Sequence, residues 1–284
     1  MEWGFRRADQ LCPGVVASAV GYATADIEQS IHRGLPSPYL TFIVTLDQPV
    51  VGAFTRAAAL GPDAISTTVT AAGLHTEPAY IRQPPVQTGI QLALYPPAAR
   101  VVLGVPAGEL SGLMVDAGAV VGKEIGEVRE KMIEADGWST RFALLQEHLR
   151  CRTELSPRSQ LRPEVAEAWR WLVRHRGAGS VAGLAGHVQL SQRQLHTLFH
   201  REFGLGPKAF NRLLRFQHSV RMITERVAVT RELDLAAIAA DCGFADQSHL
   251  NREFRALVGT SPTDWVREEV GNIRSGGHRN GDSD

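Results

Sequence analysis

Cysteine, long apolar runs and net charge are what this 284-residue sequence has least of. Its three cysteines, Cys12, Cys151 and Cys242, are odd in number and widely scattered, which argues against a disulfide framework and fits a reducing compartment, the cytoplasm. The longest charge-free stretch, Gln83 to Ala99, contains Pro84, Pro85, Pro96 and Pro97, so it cannot cross a bilayer as a helix and no membrane partner is expected. Met1 to Arg7 lack the cationic start and unbroken apolar core of a signal peptide. What is present is an ordinary globular composition, 44% hydrophobic, in a chain too long for one compact core of usual size. Two domains are expected.

The formal net charge of zero hides an asymmetry. Met1 to His148 carry 10 Lys/Arg against 15 Asp/Glu, whereas Leu149 to Asp284 carry 20 against 15. Between Arg150 and Arg226 stand 14 basic and 5 acidic residues, and all but one of the basic ones are Arg. Planar guanidinium groups suit phosphates and guanine edges, so the second half points towards a polyanion, although a solvated basic surface has the same composition.

Several chemistries lack their residues. No Gly-x-Ser-x-Gly, P-loop or paired-carboxylate constellation appears, so no catalytic residue and no cofactor is assigned. Gly177, Gly179 and Gly183 have the wrong spacing for a dinucleotide fingerprint and no strand precedes them. His196 and His200 have the four-residue spacing of helix-borne metal ligands, with His187 nearby, but no Glu follows His196 and no third ligand has telling spacing. No metal is expected, and these histidines are read as facing phosphate or base edges.

The first half reads as mixed β and α. Leu40, Phe42, Val44 and Leu46 alternate with Tyr39, Thr41, Ile43 and Thr45, the two-residue period of a strand. Val50 to Phe54 is expected to return as its hairpin partner, Ile90 to Tyr95 to form a second strand, and Val101 to Val105 a third. Only six residues between Gly34 and Gly108 are charged, which fits a curved sheet around a sizeable interior. A helix is expected over Ala117 to Glu134, and another begun by Ser139 and running to about Arg152. Ser156 to Gln160 is a polar breaker, and the residues after Gly271 are expected to be disordered. The expected division is therefore a β-rich domain over 1–152, a linker over 153–162, an all-α domain over 163–271 and a tail over 272–284. The all-α domain opens at Pro163 with a helix burying Val165, Trp169, Leu172 and Val173 and ended by Gly177 and Gly179.

The second half repeats itself. At an offset of 55, Ser191 falls on Asp246, Leu195 on Leu250, Phe199 on Phe254, Gly204 on Gly259, Pro207 on Pro262 and Phe210 on Trp265. Upstream the offset is 54: Leu184 meets Ile238, Ala185 meets Ala239 and Val188 meets Cys242, so the second turn is one residue longer and Cys242 reads as a packed thiol. Each copy reads as helix, tight turn and capped helix, with Ser191 and Asp246 as N-caps. Short units of this kind present their second helix to a nucleic-acid groove. At about 100° per residue, Arg193, His196, Thr197 and His200 share a face opposite Leu195, Leu198 and Phe199, and Gln247, Ser248, Asn251, Arg252 and Arg255 lie opposite Leu250, Phe254 and Leu257. Arg reads guanine, and Gln or Asn reads adenine, in the major groove. Between the copies, a helix opened by Pro207 is expected to hold the two reading helices about one DNA turn, roughly 34 Å, apart.

The stretch Val181 to Val270 resembles the DNA-binding domain of the AraC/XylS transcriptional regulators. The segment Cys242-Gly243-Phe244-Ala245-Asp246-Gln247-Ser248-His249-Leu250-Asn251-Arg252-Glu253-Phe254, followed by Gly259-Thr260-Ser261-Pro262, carries the likeness. The resemblance implies two helix-turn-helix units on double-stranded promoter DNA, contact with RNA polymerase, and Arg193, His196, Thr197, Gln247, Ser248, Asn251 and Arg252 as base readers. Ser191, His200, Arg201, Lys208, Arg212 and Arg255 are assigned to the DNA backbone, with Arg174, Arg176 and Arg215 adding attraction to phosphates. Two departures stand out: Thr197 replaces the family's usual Arg, and Gln189 replaces a turn Gly, where a side chain strains a left-handed backbone.

Gly89-Ile90-Gln91, Leu94 to Arg100 and Leu103 to Leu110 resemble the N-terminal domain of many actinobacterial regulators of this type. The likeness implies a β-rich, cupin-like α+β domain that senses a small-molecule effector, and homodimerisation. Tyr39, His75, Glu77, Tyr80 and Gln91 are the candidate pocket, a surface loop around His75 being the alternative. Two other readings remain open: a first half that recruits a protein, or a DNA-repair methyltransferase, for which neither Cys12 nor Cys151 has the activated setting.

Overall fold

Whether alternating segments become strands facing a helix layer or the two faces of a cavity depends on what covers each face. The computed structural model describes residues 4–25, 28–155, 161–229 and 233–275. Its first half contains ten strands, β1 (Gly4–Arg7), β2 (Val16–Thr24), β3 (Ser30–Gly34), β4 (Leu40–Thr45), β5 (Val50–Ala53), β6 (Ile65–Thr67), β7 (Val69–Ala72), β8 (Ala79–Gln83), β9 (Gln87–Leu94) and β10 (Met114–Asp116). They form two antiparallel sheets, one of six strands in the order β1-β2-β9-β4-β7-β10 and one of four in the order β3-β8-β5-β6. Helices α1 (Arg56–Leu60), α2 (Ala99–Val102), α3 (Gly118–Val121), α4 (Glu124–Glu134) and α5 (Gly137–Leu155) complete this half.

The two-residue period decides which face goes where. Leu40, Phe42 and Val44 of β4 and Ile90, Leu92 and Leu94 of β9 are buried in one core with Val102 of α2 and Leu145 and Leu149 of α5. Their neighbours Thr41, Ile43 and Gln91 line a cavity between the sheets instead. A strand with one oily and one mixed face is the expected product of that alternation.

Four details differ from the sequence expectation. Val50 to Ala53 is a strand, but it pairs with β6 and β8 in the smaller sheet and not with β4, whose partners are β7 and β9. Val101 to Val105 is not a strand: Pro96 and Pro97 open a 3-10 turn that runs into α2, so the chain is already helical there. The helix expected over Ala117 to Glu134 is broken at Gly122, whose φ of 93° ends α3 before α4 begins. Ser139 lies inside α5, which starts two residues earlier at Gly137, and so is not its cap.

The remaining helices are α6 (Pro163–Arg174), α7 (Val181–His187), α8 (Gln192–Phe203), α9 (Pro207–Val229), α10 (Leu235–Asp241), α11 (Gln247–Val258) and α12 (Pro262–Ser275). In α6, Val165 and Leu172 are buried as expected, whereas Val173 is exposed and the small Ala168 takes the core position. The breaker Ser156 to Gln160 lies outside the described residues, and so do residues 276–284 of the tail. Helix α12 runs to Ser275, four residues past the boundary expected at 271.

The apolar cores do not divide where the breaker stands. One continuous core runs from Leu11 through the β-rich half and α6 to α8, ending at Phe210. A second begins at Leu213 and gathers α9, α10, α11 and Trp265 of α12. Helix α9 thus belongs to both.

Candidate nucleic-acid interface and neighbouring cavity

Each copy of the repeat folds as two short helices with a tight turn, and local chemistry fixes both second helices. At the start of α8, Ser191 Oγ accepts from the Gln194 amide at 3.2 Å, and the Gln194 side chain accepts from the Ser191 amide at 3.1 Å, satisfying two donors that the helix end leaves unpaired. At the start of α11, Asp246 Oδ1 accepts from the His249 amide at 2.7 Å. Both helices end on a left-handed glycine, Gly204 with φ 76° and Gly259 with φ 80°, and proline opens the next helix in each copy. Phe210 and Trp265, the last matched pair, are both fully buried.

The turns differ as their lengths require. Gly243 has φ 73° in the second turn, and at the corresponding point of the first Gln189 is held at φ 55°, a left-handed conformation that costs a residue with a side chain.

The outward faces carry most of the expected readers. Arg193, His196 and Thr197 on α8 and Gln247, Ser248 and Arg252 on α11 are exposed, as are Ser191, His200, Arg201, Lys208 and Arg255. Arg174 and Arg176 are exposed too. His196 and His200 stack with ring centres 5.9 Å apart. Thr197 spends its hydroxyl proton on the Arg193 carbonyl at 3.0 Å, one turn back, which leaves its methyl and an oxygen lone pair to face a groove. Asn251 is only half exposed, and its Oδ1 is buried with no hydrogen-bond partner among the described residues.

Two assigned phosphate contacts are already engaged. Arg212 Nε donates to Glu253 Oε2 at 2.9 Å, tying α9 to α11, and Arg215 lies over the Phe244 ring at 5.7 Å. Both are half-buried struts between helices and not free surface cations. Sequence reasoning also missed Glu202. It occupies a core register of α8, three residues past Phe199, and accepts both prongs of Arg100 from α2 at 2.7 and 2.8 Å. An acid at an inward helical position was the available signal.

The cavity between the sheets has a volume of about 230 Å³. Its larger-sheet wall presents Tyr22, Thr41, Ile43, Thr70 and Gln91, and its smaller-sheet wall His32, Val50, Ile81 and Gln83. Gly89 makes room for Tyr22: a Cβ there would stand 2.5 Å from the phenol oxygen. Burial, with Asp47 nearby, pushes that phenol's pKa up and keeps it protonated. Of the five pocket candidates, His75 and Gln91 line the cavity. Tyr39 packs instead on Tyr95, which packs on Trp169 of α6. Tyr80 alternates away from its cavity-lining neighbour Ile81, and Glu77 is exposed, contributing only its carbonyl to His75 Nδ1. Thr70, His32 and Tyr22 were not singled out by sequence, because their partners in the wall are distant in the chain. Gln217 and Val220, one turn apart on α9, close one side of the cavity.

A protein-family model described as a helix-turn-helix domain matches residues 184–268. Residues 184–268 are a helix-turn-helix domain. The probable transcriptional regulator LumQ of Photobacterium leiognathi is 34% identical over 84 residues, 30% of this chain and 32% of that protein, so the match spans about a third of its length. Unsaturated fatty acid-bound ToxT of Vibrio cholerae strain SCE256 shares the fold with TM-score 0.50 and 10% identity, over 94% of this chain and 97% of that one. ToxT of Vibrio cholerae O395, bound to (E)-4-(8-methylnaphthalen-1-yl)but-3-enoic acid, aligns with TM-score 0.50 and 11% identity over 93% and 98%. The helix-turn-helix domain thus follows a β-rich half in the same two-part fold. No helix among the described residues is long and apolar enough to cross a membrane, and no group of three or more His, Cys, Asp or Glu among them could hold a metal ion.

Proposed function

We propose that this protein is a sequence-specific DNA-binding transcriptional regulator of the cytoplasm, responsive to a small-molecule effector. The observation that carries the reading is the pair of capped helices, α8 and α11, that repeat one design and expose Arg193, His196, Thr197, Gln247, Ser248 and Arg252. These chemistries suit base edges in the major groove, and the surrounding arginines and Lys208 suit phosphates. With α9 between them, the two helices enter successive major grooves of one duplex.

The cavity supports the sensory half of the reading. It is walled by both sheets and closed by α9, the helix that joins the two reading units, so an occupant touches the element that sets their relation. An effector acts by favouring one arrangement of that helix over another. The solved ToxT structures, with an unsaturated fatty acid or a butenoic acid bound, are precedents in the same fold. Contact with RNA polymerase and pairing into homodimers complete the proposal and rest on the resemblance alone.

The test is selection of DNA fragments from a random pool by the purified full-length chain, followed by gel-shift titration at fixed salt. Enrichment of one two-part motif is expected. Uniform retention of the pool would overturn the reading.

A further inference from the structure

The cavity's wall says more than that something binds there; it says what charge the occupant carries. Among its described lining residues are no Lys, Arg, Asp or Glu, and the ionisable groups are His32, His75 and Tyr22. In β3 and β8 the arginines beside lining positions, Arg33 and Arg82, alternate outward and are already engaged. Arg33 pairs with Glu268 at 3.0 Å, and Arg82 donates to the Ala59 and Gly61 carbonyls. His32 faces the Glu269 carboxylate of α12 at 3.4 Å, so a charge on that imidazole has its counter-ion in place.

His75 brings no positive charge either. Its Nδ1 meets the Glu77 carbonyl, an acceptor, which fixes the proton on Nδ1 and leaves Nε2 as a bare lone pair. Burial lowers its pKa and so favours that neutral form. Acids stand around the wall, Asp47 by Tyr22, Glu269 by His32 and Asp116 registered against Thr70, and make the surroundings negative, yet none lines the wall to neutralise a cation.

What the wall does offer is neutral hydrogen bonding with one open demand. Thr70 is 1% exposed, lines the cavity and leaves its Oγ1 without a hydrogen-bond partner among the described residues. Buried hydroxyls are rarely left so, and an occupant is the missing partner. Ile43 is registered against Gln91 on one side and Thr70 on the other, so amide and hydroxyl flank an apolar side chain in one row. At ordinary strand spacing the row spans about 10 Å. Val50, Ile81 and Val220 supply apolar surface around it.

We infer that the cavity takes an uncharged amphiphile, an apolar body bearing a hydroxyl or carboxamide that meets Thr70 and Gln91, and discriminates against carboxylates. A carboxylate would surrender its hydration with no cation to receive it, next to the His75 lone pair and under the field of Asp47. The inference rests on the effector reading above and sets this chain apart from the acid-bound ToxT structures.

The test is binding of four ten-carbon probes to the full chain at pH 8, below their aggregation concentrations: decan-1-ol, decanamide, decanoate and decylammonium. Binding is read by thermal shift and by calorimetry. Decanamide or decan-1-ol is expected to bind at least tenfold more tightly than decanoate and decylammonium. Thr70→Val keeps the shape and removes the hydroxyl; it is expected to weaken the neutral probes at least fivefold while leaving the ligand-free melting temperature unlowered, because no internal bond is lost. Decanoate or decylammonium binding as tightly as the neutral probes overturns the assigned class and keeps the cavity as an effector site. Silence from all four overturns the class and the effector reading together, while gel shifts with the same preparation judge DNA binding separately. Neutral-probe binding left unchanged by Thr70→Val likewise refutes the role given to its hydroxyl.

Discussion

Arg100 of α2 and Glu202 of α8 form a two-pronged ion pair that pins the first of the two capped helices to the β-rich half. Glu202 is nearly buried and Arg100 about a quarter exposed, so the pair sits between the surface and interior regimes. Removing one partner strands the other where water reaches it poorly. Glu202→Ala and Arg100→Ala should each destabilise the protein by about 1–3 kcal/mol, and the double substitution by less than their sum. Urea unfolding of the four proteins in the cycle checks this; strict additivity would show the two side chains to be uncoupled.

The exposed faces make separable predictions about DNA. Arg252→Ala should relax base preference at one position of the selected site by about 1–3 kcal/mol. Lys208→Ala should weaken all sequences alike and lower the salt slope by about one. Gel-shift titrations on cognate and scrambled duplexes separate the two; equal losses on both duplexes for Arg252→Ala would remove it from the readers.

Arg212→Ala should behave differently from either. Because its guanidinium is committed to Glu253, the loss should appear as a lower melting temperature of the free protein, with Glu253→Gln reproducing most of it. A salt slope lowered as by Lys208→Ala, with no change in melting, would return Arg212 to the phosphate contacts.

Gln189 predicts a gain. Its φ of 55° is natural for glycine, its side chain is exposed, and the equivalent turn already carries Gly243. Gln189→Gly should stabilise the protein by about 0.5–1 kcal/mol after the extra freedom of the unfolded glycine is offset. Thermal unfolding measures it, and a lowered melting temperature contradicts it.

The half-buried imidazole of His75 sets a pH dependence. His75 has a folded-state pKa below its ordinary 6.5, so between the two values the unfolded chain binds the proton that the folded chain refuses. The stabilisation is complete above about pH 6.5 and is lost as pH falls through the lowered value. His148 and His218 are shifted in the same direction by burial and by nearby arginines and add to the effect. Urea midpoints at pH 7.5 and 5.5 should therefore converge in His75→Gln relative to the parent chain. An unchanged difference would take His75 out of the account.

The repeat was legible because its determinants are local: a cap oxygen, a left-handed glycine and an apolar residue every third or fourth position act within one or two turns. Strands β4 and β9 were legible for the same reason. What escaped depends on distant partners. Val50 to Ala53 could be read as extended, but nothing nearby in the chain says that its neighbours are β6 and β8. Thr70 and Gln91 become one row only through Ile43, and Glu202 acquires its role only from Arg100, 102 residues away. Tyr39 and Tyr80 have the right chemistry for a pocket on the wrong side of the wall.

The apolar seam inside α9 has a consequence for recombination. A hybrid chain cut at the polar breaker would strip α7 and α8 from the core they share with the β-rich half, exposing Leu184, Leu195, Phe199 and Phe203 to an unmatched surface. The seam between the two cores instead lies between Phe210 and Leu213, so a graft that keeps both cores whole carries α7 and α8 with the β-rich half and leaves α10 and α11 behind.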